Sequence, residues 1–250
     1  MNDIAPLLLW VSLTFVAAGF VKGVVGMGLP TIAMGVLSLI MTPAAAAAIL
    51  VVPSLVTNIW QLSAGPTLVA LLRRLATMML ALCVGTVLGI GVLTGESASL
   101  ASGALGAVLA AYGVVGLAAP RFTVPTRAEP WLSPFVGLVT GLITGATGVF
   151  AIPAVPYLNS LGLGKDDLIQ ALGLSFTVST LALAVALGLS GQFQFASAGS
   201  SLLAVVPALV GMYVGQHVRD RVAPETFRRW FFVGLVLLGG YMLARALVAK

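Results

Sequence analysis

Lys22 is the only formal charge well inside an apolar run of this 250-residue chain. A buried ammonium costs several kcal/mol unless it is paired or hydrated, so by default such a residue marks a pathway. Lys22 stands just before an uncharged break, Gly26–Pro30, and a second uncharged break falls at Thr144–Gly148. A broken helix leaves unpaired N–H groups at the start of its second arm, with about half a positive charge from the helix dipole. Gly26, Gly28, Gly145 and Gly148 let a ligand approach that backbone, and Thr144 and Thr147 add hydroxyls. Such a place suits an anion. The plainer alternatives are that the glycines only permit close helix packing and that Lys22 reaches an interface along its own stem. Recurrence of a chargeless break in two places favours binding for the glycines, and leaves Lys22 open between the two readings.

Two polar clusters accompany the breaks. Ser54, Thr57, Asn58 and Gln61 share one helix face at three- and four-residue spacing, and Gln170, Ser175, Thr177, Ser179 and Thr180 form a looser group. They are candidate walls of a substrate path. Otherwise the hydroxyls bond back to their own helix and the amides join neighbouring helices. The remaining polar residues have simpler roles. His217 beside Arg219 reads as solvated, Asp166 and Asp167 as caps of a helix from Leu168, and Cys83 as a packed thiol. Trp10, Trp60, Trp131 and Trp230, near the ends of apolar runs, read as interface anchors. No metal-ligand cluster, nucleophile–base pair or phosphate loop is visible, so neither catalysis nor a cofactor is expected.

The elements that position these residues follow from composition. Hydrophobic residues make up 60% of the chain and charged residues 8%, with a mean hydropathy of +1.12. A soluble domain carries about 25% charged residues, because its surface faces water. Lipid must be the solvent here, and the expected fold is an all-α, polytopic transmembrane bundle. The net charge of +5 does not indicate nucleic acid, because the basic residues sit in short clusters between apolar runs. Apolar stretches fall near residues 4–27, 30–41, 43–62, 75–94, 98–119, 131–143, 149–161, 167–190, 198–217 and 229–248. The first lacks a basic leader and a small-residue cleavage site, and is expected to be retained. Arg73-Arg74, Glu96, Pro120–Pro130, Lys165–Asp167, Gly191–Gln194 and Arg219–Arg229 interrupt the stretches with polar or basic residues.

The chain also matches itself. Gly19-Phe-Val-Lys-Gly23-Val-Val-Gly26 aligns with Gly137-Leu-Val-Thr-Gly141-Leu-Ile-Thr144, and Pro53–Asn58 with Leu174–Ser179. Gly85-x3-Gly89 then matches Gly211-x3-Gly215, and Tyr112 matches Tyr241. The order predicts a first repeat over 1–119, a linker at 120–130 and a second repeat over 131–250. Charge sets the orientation. If each half crosses four times, Lys and Arg divide six against five. If each half opens with a re-entrant hairpin and then crosses three times, Arg73, Arg74, Arg121, Arg127, Lys165, Arg219, Arg221, Arg228 and Arg229 share one side. Only Arg245 and Lys250 remain opposite. Nine against two obeys the positive-inside rule, which predicts halves of inverted topology, about eight membrane segments and both termini outside. The length of Ile4–Val21 is the exception, since it is enough to cross.

These residues resemble the sulfite exporter TauE/SafE family of membrane transporters. Members carry two copies of a Gly-x-x-Gly-x-Gly-Gly-Gly-like motif, each followed by proline. Here the copies are Gly23-Val-Val-Gly26-Met-Gly28-Leu-Pro30 and Gly141-Leu-Ile-Thr144-Gly145-Ala-Thr-Gly148, the second followed by Pro153 and Pro156. Gln170-Ala-Leu-Gly173-Leu-Ser175-Phe176-Thr177-Val-Ser179 is similar to family sequence as well. The resemblance implies transport of a small sulfur-containing anion, such as sulfite or an organosulfonate, across the bacterial inner membrane. The expected mechanism is alternating access between the halves, with Lys22, Gly26, Gly28, Asn58, Gln61, Thr144, Gly145, Thr147, Gly148, Ser175 and Thr177 at the substrate. An anion-permeable channel or a carrier of a non-sulfur organic anion is the alternative. The expected partners are the anion and the lipid bilayer, with homodimer formation left open.

Overall fold

The computed structural model describes residues 4–63, 65–95, 97–118, 123–192, 201–219 and 224–248. Arg121, Arg221 and Lys250, on which part of the charge argument rests, and Glu96 and Gln194 of the polar breaks lie outside them. All regular structure among the described residues is helical. In chain order the helices are α1 (Ile4–Val25), α2 (Leu29–Leu37), α3 (Pro43–Leu62), α4 (Leu68–Thr94), α5 (Ala98–Ala118), α6 (Glu129–Thr147), α7 (Ala154–Ser160), α8 (Lys165–Leu189), α9 (Val205–Arg219) and α10 (Pro224–Val248). Seven are long and apolar enough to cross a bilayer, all but α2, α6 and α7. Their lipid-facing sides carry exposed Leu, Val and Trp, including Trp10, Trp60 and Trp230.

Glycine decides which helices touch. A Cβ on Gly19 or Gly23 of α1 would collide with the backbone of Ala208 or Met212 in α9, and one on Gly211 or Gly215 with that of Val16 or Phe20 in α1. The same reciprocity joins Gly137, Gly141 and Gly145 of α6 to α4 at Met78, Leu82 and Thr86, and Gly85 and Gly89 of α4 to Leu138 and Leu142. Small residues let backbones approach where apolar side chains gain nothing over lipid. Within each pair the contact numbers rise together, so the two helices run parallel. The α3–α8 pair is antiparallel, with Gly173 against Gln61 and Leu62 while Asn58 reaches Thr180. So is α5–α10, with Gly103 against Ala246 and Gly113 against Phe232.

These directions fix where each hairpin opens. The α6–α7 hairpin begins and ends at one end of the bundle. There Ser133 and Tyr157 hydroxyls bond at 2.7 Å, and Arg74 donates to Glu129 at 2.9 Å and to the Leu161 carbonyl at 3.3 Å. The α1–α2 hairpin begins and ends at the other, where Ser38–Thr42 lie beside the start of α5 and Arg245 near the end of α10. The two tips therefore point past each other into the bundle. The first end gathers Arg73, Arg74, Arg127, Lys165, Arg219, Arg228 and Arg229, and is called the basic end below. Arg245 lies at the opposite end.

Three boundaries differ from the sequence expectation. Arg73 and Arg74 do not interrupt the chain but ride on the first turns of α4, a 27-residue helix of about 40 Å that overreaches a hydrocarbon core of about 30 Å. The long stems of arginine let the charges stay at the surface. The first arms of the hairpins, α1 with 22 residues and α6 with 19, are nearly full crossings, and only the returning arms are short, 9 residues in α2 and 7 in α7. Finally, α8 starts at Lys165, with Gly164 as its N-cap and no side-chain cap bond. Asp166 and Asp167 sit inside the first turn, where they complement the helix dipole.

The helix contacts predict a sharp contrast among glycines. Gly141→Ala and Gly23→Ala should each destabilise the protein by about 1–3 kcal/mol, as overpacking does. Gly91→Ala, whose added Cβ would have nothing within 4 Å, should be neutral or slightly stabilising by helix propensity. Thermal denaturation in detergent measures all three.

Candidate anion-binding site

Lys22 occupies the last turn of α1, and the helix ends three residues later because Gly26 and Gly28 take φ of 80° and 108°. An L side chain is strained at either value. Lys22 is 4% exposed, so its ammonium does not reach an interface. Its Nζ donates to Thr57 Oγ1 at 3.1 Å and to Asn58 Oδ1 on α3. The Asn58 amide in turn donates to Thr180 Oγ1 on α8 at 3.1 Å. The Phe176 ring, one turn before Thr180, lies with its centroid 6.0 Å from Nζ, at the edge of cation–π range. Phe176 packs on Phe150 of the α6–α7 tip at 5.4 Å. An ammonium thus sits where three helices meet, held by neutral oxygens alone.

Five side-chain polar atoms in the described core lack any partner: Ser38 Oγ, Ser54 Oγ, Gln61 Oε1, Thr140 Oγ1 and Ser175 Oγ. Ser54 lies one turn before Thr57 and Asn58, and Ser175 adjoins Phe176. Buried hydroxyls are normally hydrogen-bonded, so such atoms need an explanation. Free hydroxyls on the two helices that meet Lys22 are donors of the kind an oxyanion uses.

The other expected site residues divide. Thr144, Thr147 and Thr177 bond back to carbonyls of their own helices at 2.7 Å, to Thr140, Ile143 and Gly173. Gly145 lies within α6 and faces α4, whereas Gly148, at φ 72°, ends the helix with Met34 of α2 against it. The second break therefore runs from Gly148 to Pro153, just beyond the expected place, and touches the first hairpin. Gly28 packs against Val21 and Phe231. Gln170 lines no path. It accepts from the Thr67 N–H at 3.0 Å and donates to the Leu62 carbonyl at 2.8 Å, clamping the α3–α4 turn. Sequence spacing does not single out Phe176; the pairing of α3 with α8 brings it near Lys22, and Phe150 packs behind it.

A cavity of about 270 Å³ opens at the basic end below this centre. Lys165, Arg219 and Arg228 line it with one acid, Glu225, and its floor includes Gly26 and Gln61. Gln61 donates to the Gly26 carbonyl at 3.0 Å and so ties α3 across the first break. Gly26 and Gln61 border the cavity, whereas Lys22 and Asn58, one turn farther back along α1 and α3, do not. The described residues hold no group of His, Cys, Asp and Glu placed to bind a metal.

Comparison with curated proteins and with solved structures returned no match. The family model of the sulfite exporter TauE/SafE matches residues 11–242, a span that takes in both hairpins, α3, α8 and the Lys22 centre. By that match this membrane protein of at least seven apolar helices belongs to the sulfite exporter TauE/SafE family of membrane transporters.

Proposed function

We propose that the protein carries a small sulfur-containing oxyanion, sulfite or an organosulfonate, across the cell's inner membrane, and that Lys22 receives it. The observation that carries this reading is the lack of an acid at a buried lysine. Lys22 has a hydroxyl and an amide oxygen as partners, and no ion pair involving it occurs among the described residues. An isolated buried charge is unfavourable, and a removed counter-ion costs about 3–5 kcal/mol in comparable pairs. A visiting anion would meet that need, and the unpartnered hydroxyls of Ser54 and Ser175 offer donors for its remaining oxygens. Thr144, Thr147, Gly145 and Thr177 then shape the surrounding helices, while Gly26, Gly28 and Gly148 let the tips turn. The family's sulfur-compound substrates fit a compact oxyanion of this kind.

The anion reaches Lys22 from the basic cavity, where Lys165, Arg219 and Arg228 raise its local concentration. Under the positive-inside rule that end faces the cytoplasm. We further infer that residues 1–119 and 131–250, joined by 120–130, are two copies inserted in opposite directions. The paired α1–α9 and α4–α6 contacts and the oppositely opening hairpins support this. Inverted halves with broken helices meeting near mid-bundle are the arrangement on which alternating access operates in other transporter folds.

Two experiments test the reading. Lys22→Met should lower sulfite flux in proteoliposomes by about tenfold or more, equivalent to at least 1.4 kcal/mol. It should also abolish the thermal shift produced by sulfite or sulfonates. Because it removes a buried charge, the variant itself should be no less stable, and up to about 2 kcal/mol more stable, than the parent. Unchanged flux in a folded Lys22→Met protein rules the site out. Orientation is checked with single cysteines in a Cys83→Ser background. Arg73→Cys and Lys165→Cys should both label from the inside, and labelling of the two from opposite sides sinks the inverted arrangement.

A further inference from the structure

Tyr112 of α5 is 1% exposed, and the one bond its hydroxyl makes among the described residues is to Met27 Sδ, at 2.9 Å. Met27 lies between Gly26 and Gly28, in the break that ends α1. We propose that Tyr112 is a positioning residue for transport. Its hydroxyl completes a grip of three helices on the first tip, holds the tip in the state whose cavity opens at the basic end, and lets go when the tip moves. The proposal rests on the reading of Lys22 as the anion's receiver.

Each residue of the break is held from a different helix. The Gly26 carbonyl accepts from Gln61 of α3 at 3.0 Å. Met27 Sδ accepts from Tyr112 of α5. A Cβ on Gly28 would lie 3.1 Å from the Phe231 ring of α10. The grip reaches Lys22 through the backbone, since the Gly26 N–H donates to the Lys22 carbonyl at 2.8 Å. A shift of the break therefore carries the last turn of α1, and its ammonium, with it.

Packing accounts for the Tyr112 ring but not for its hydroxyl. The ring meets Phe231 and Phe232 edge-on, with centroids 6.4 and 5.3 Å away. A phenylalanine would keep both contacts. The hydroxyl has a thioether as its acceptor, which is a weak one, so the bond adds little net stability. Such a bond suits a contact that holds in one state and is released in the next. Met27 also lines the basic cavity, which places the contact where the first tip meets that opening. Tyr241, which the sequence match pairs with Tyr112, is 57% exposed. The grip thus belongs to the half that carries Lys22.

The test uses the full-length protein with Ile169→Cys in a Cys83→Ser background. Ile169 lines the basic cavity, so its labelling by N-ethylmaleimide in detergent reports how open that cavity is, with no anion added. Sulfite flux in proteoliposomes is read alongside. Tyr112→Phe should slow labelling several-fold and lower maximal flux, with thermal stability unchanged. Met27→Leu should do the same, and the double variant should be no slower than either single one, because both remove the same bond. Unchanged labelling in Tyr112→Phe overturns the proposal, and so does slowing that multiplies in the double variant. A fall in thermal stability with labelling unaltered makes the hydroxyl merely structural, which overturns it as well. Because labelling needs no anion, the two readings fail separately. Normal flux in Lys22→Met beside slowed labelling in Tyr112→Phe sinks the Lys22 site and leaves the grip, and the reverse pair of results sinks the grip alone.

Discussion

Taking an ammonium out of water costs several kcal/mol, and Lys22 is buried with only a hydroxyl and an amide oxygen as direct partners. Much of the surrounding structure follows from tolerating that cost. Asn58 must turn its oxygen to Lys22, which commits its amide nitrogen to another acceptor, and Thr180 of α8 supplies one. Thr180 can accept because its own proton is given to the Phe176 carbonyl at 2.7 Å. The chain of bonds therefore has a fixed polarity from Lys22 through Asn58 and Thr180 into the α8 backbone. A carboxylate at position 58 would satisfy the lysine permanently. An amide leaves the positive charge unneutralised, and that residual field is what can discriminate an anion from a neutral solute.

The break that delivers Lys22 carries its own constraint. Exposed backbone polar groups are not tolerated in hydrocarbon, so an interrupted helix must be enclosed by protein. Both tips meet this by converging. Met34 of the first hairpin covers Gly148 of the second, Phe231 covers Gly28, and Gln61 takes up the Gly26 carbonyl. The long first arms hold the tips in position through glycine contacts along α9 and α4. Backbone packing of this kind is rigid, because no side chain can rearrange to absorb a shift. The contacts at Met34 and Gln61, by contrast, are made by side chains.

Much of this was legible in the sequence because membranes penalise charge so strongly. A lone lysine in an apolar run, and breaks without any charge, stand out against a background of Leu, Val and Ala. Asn58 and Gln61 could be placed on one face by spacing alone. Spacing could not separate Gly145 from Gly148: one packs on α4 and the other turns the chain, a difference made by the neighbouring helix. Nor could it separate Gln170 from Asn58, since a polar residue on a buried helix face reads alike whether it clamps a turn or lines a path. Arg73 and Arg74 misplaced a helix start because hydropathy reports where lipid ends, while a helix continues into water. Phe176 reaches Lys22 only through the pairing of two helices far apart in sequence.

The Lys22 centre does not border the basic cavity, although that cavity is rich in positive charge. This arrangement bears on how an anion would pass. A channel needs a continuous polar route, with binding weak enough at each point for ions to leave. Here one barrier is the Gln61–Gly26 bond, and another is the apolar contact of Phe150, Phe176 and Met34 around the second tip. The first barrier is a single hydrogen bond to a residue whose other polar atom, Oε1, has no partner. The second is made of Met34 of the first hairpin against Gly148 of the second, and of Phe176 of α8 against Phe150. On the proposed route, an anion that loads from the basic end would meet the single hydrogen bond first and the packed second tip after it.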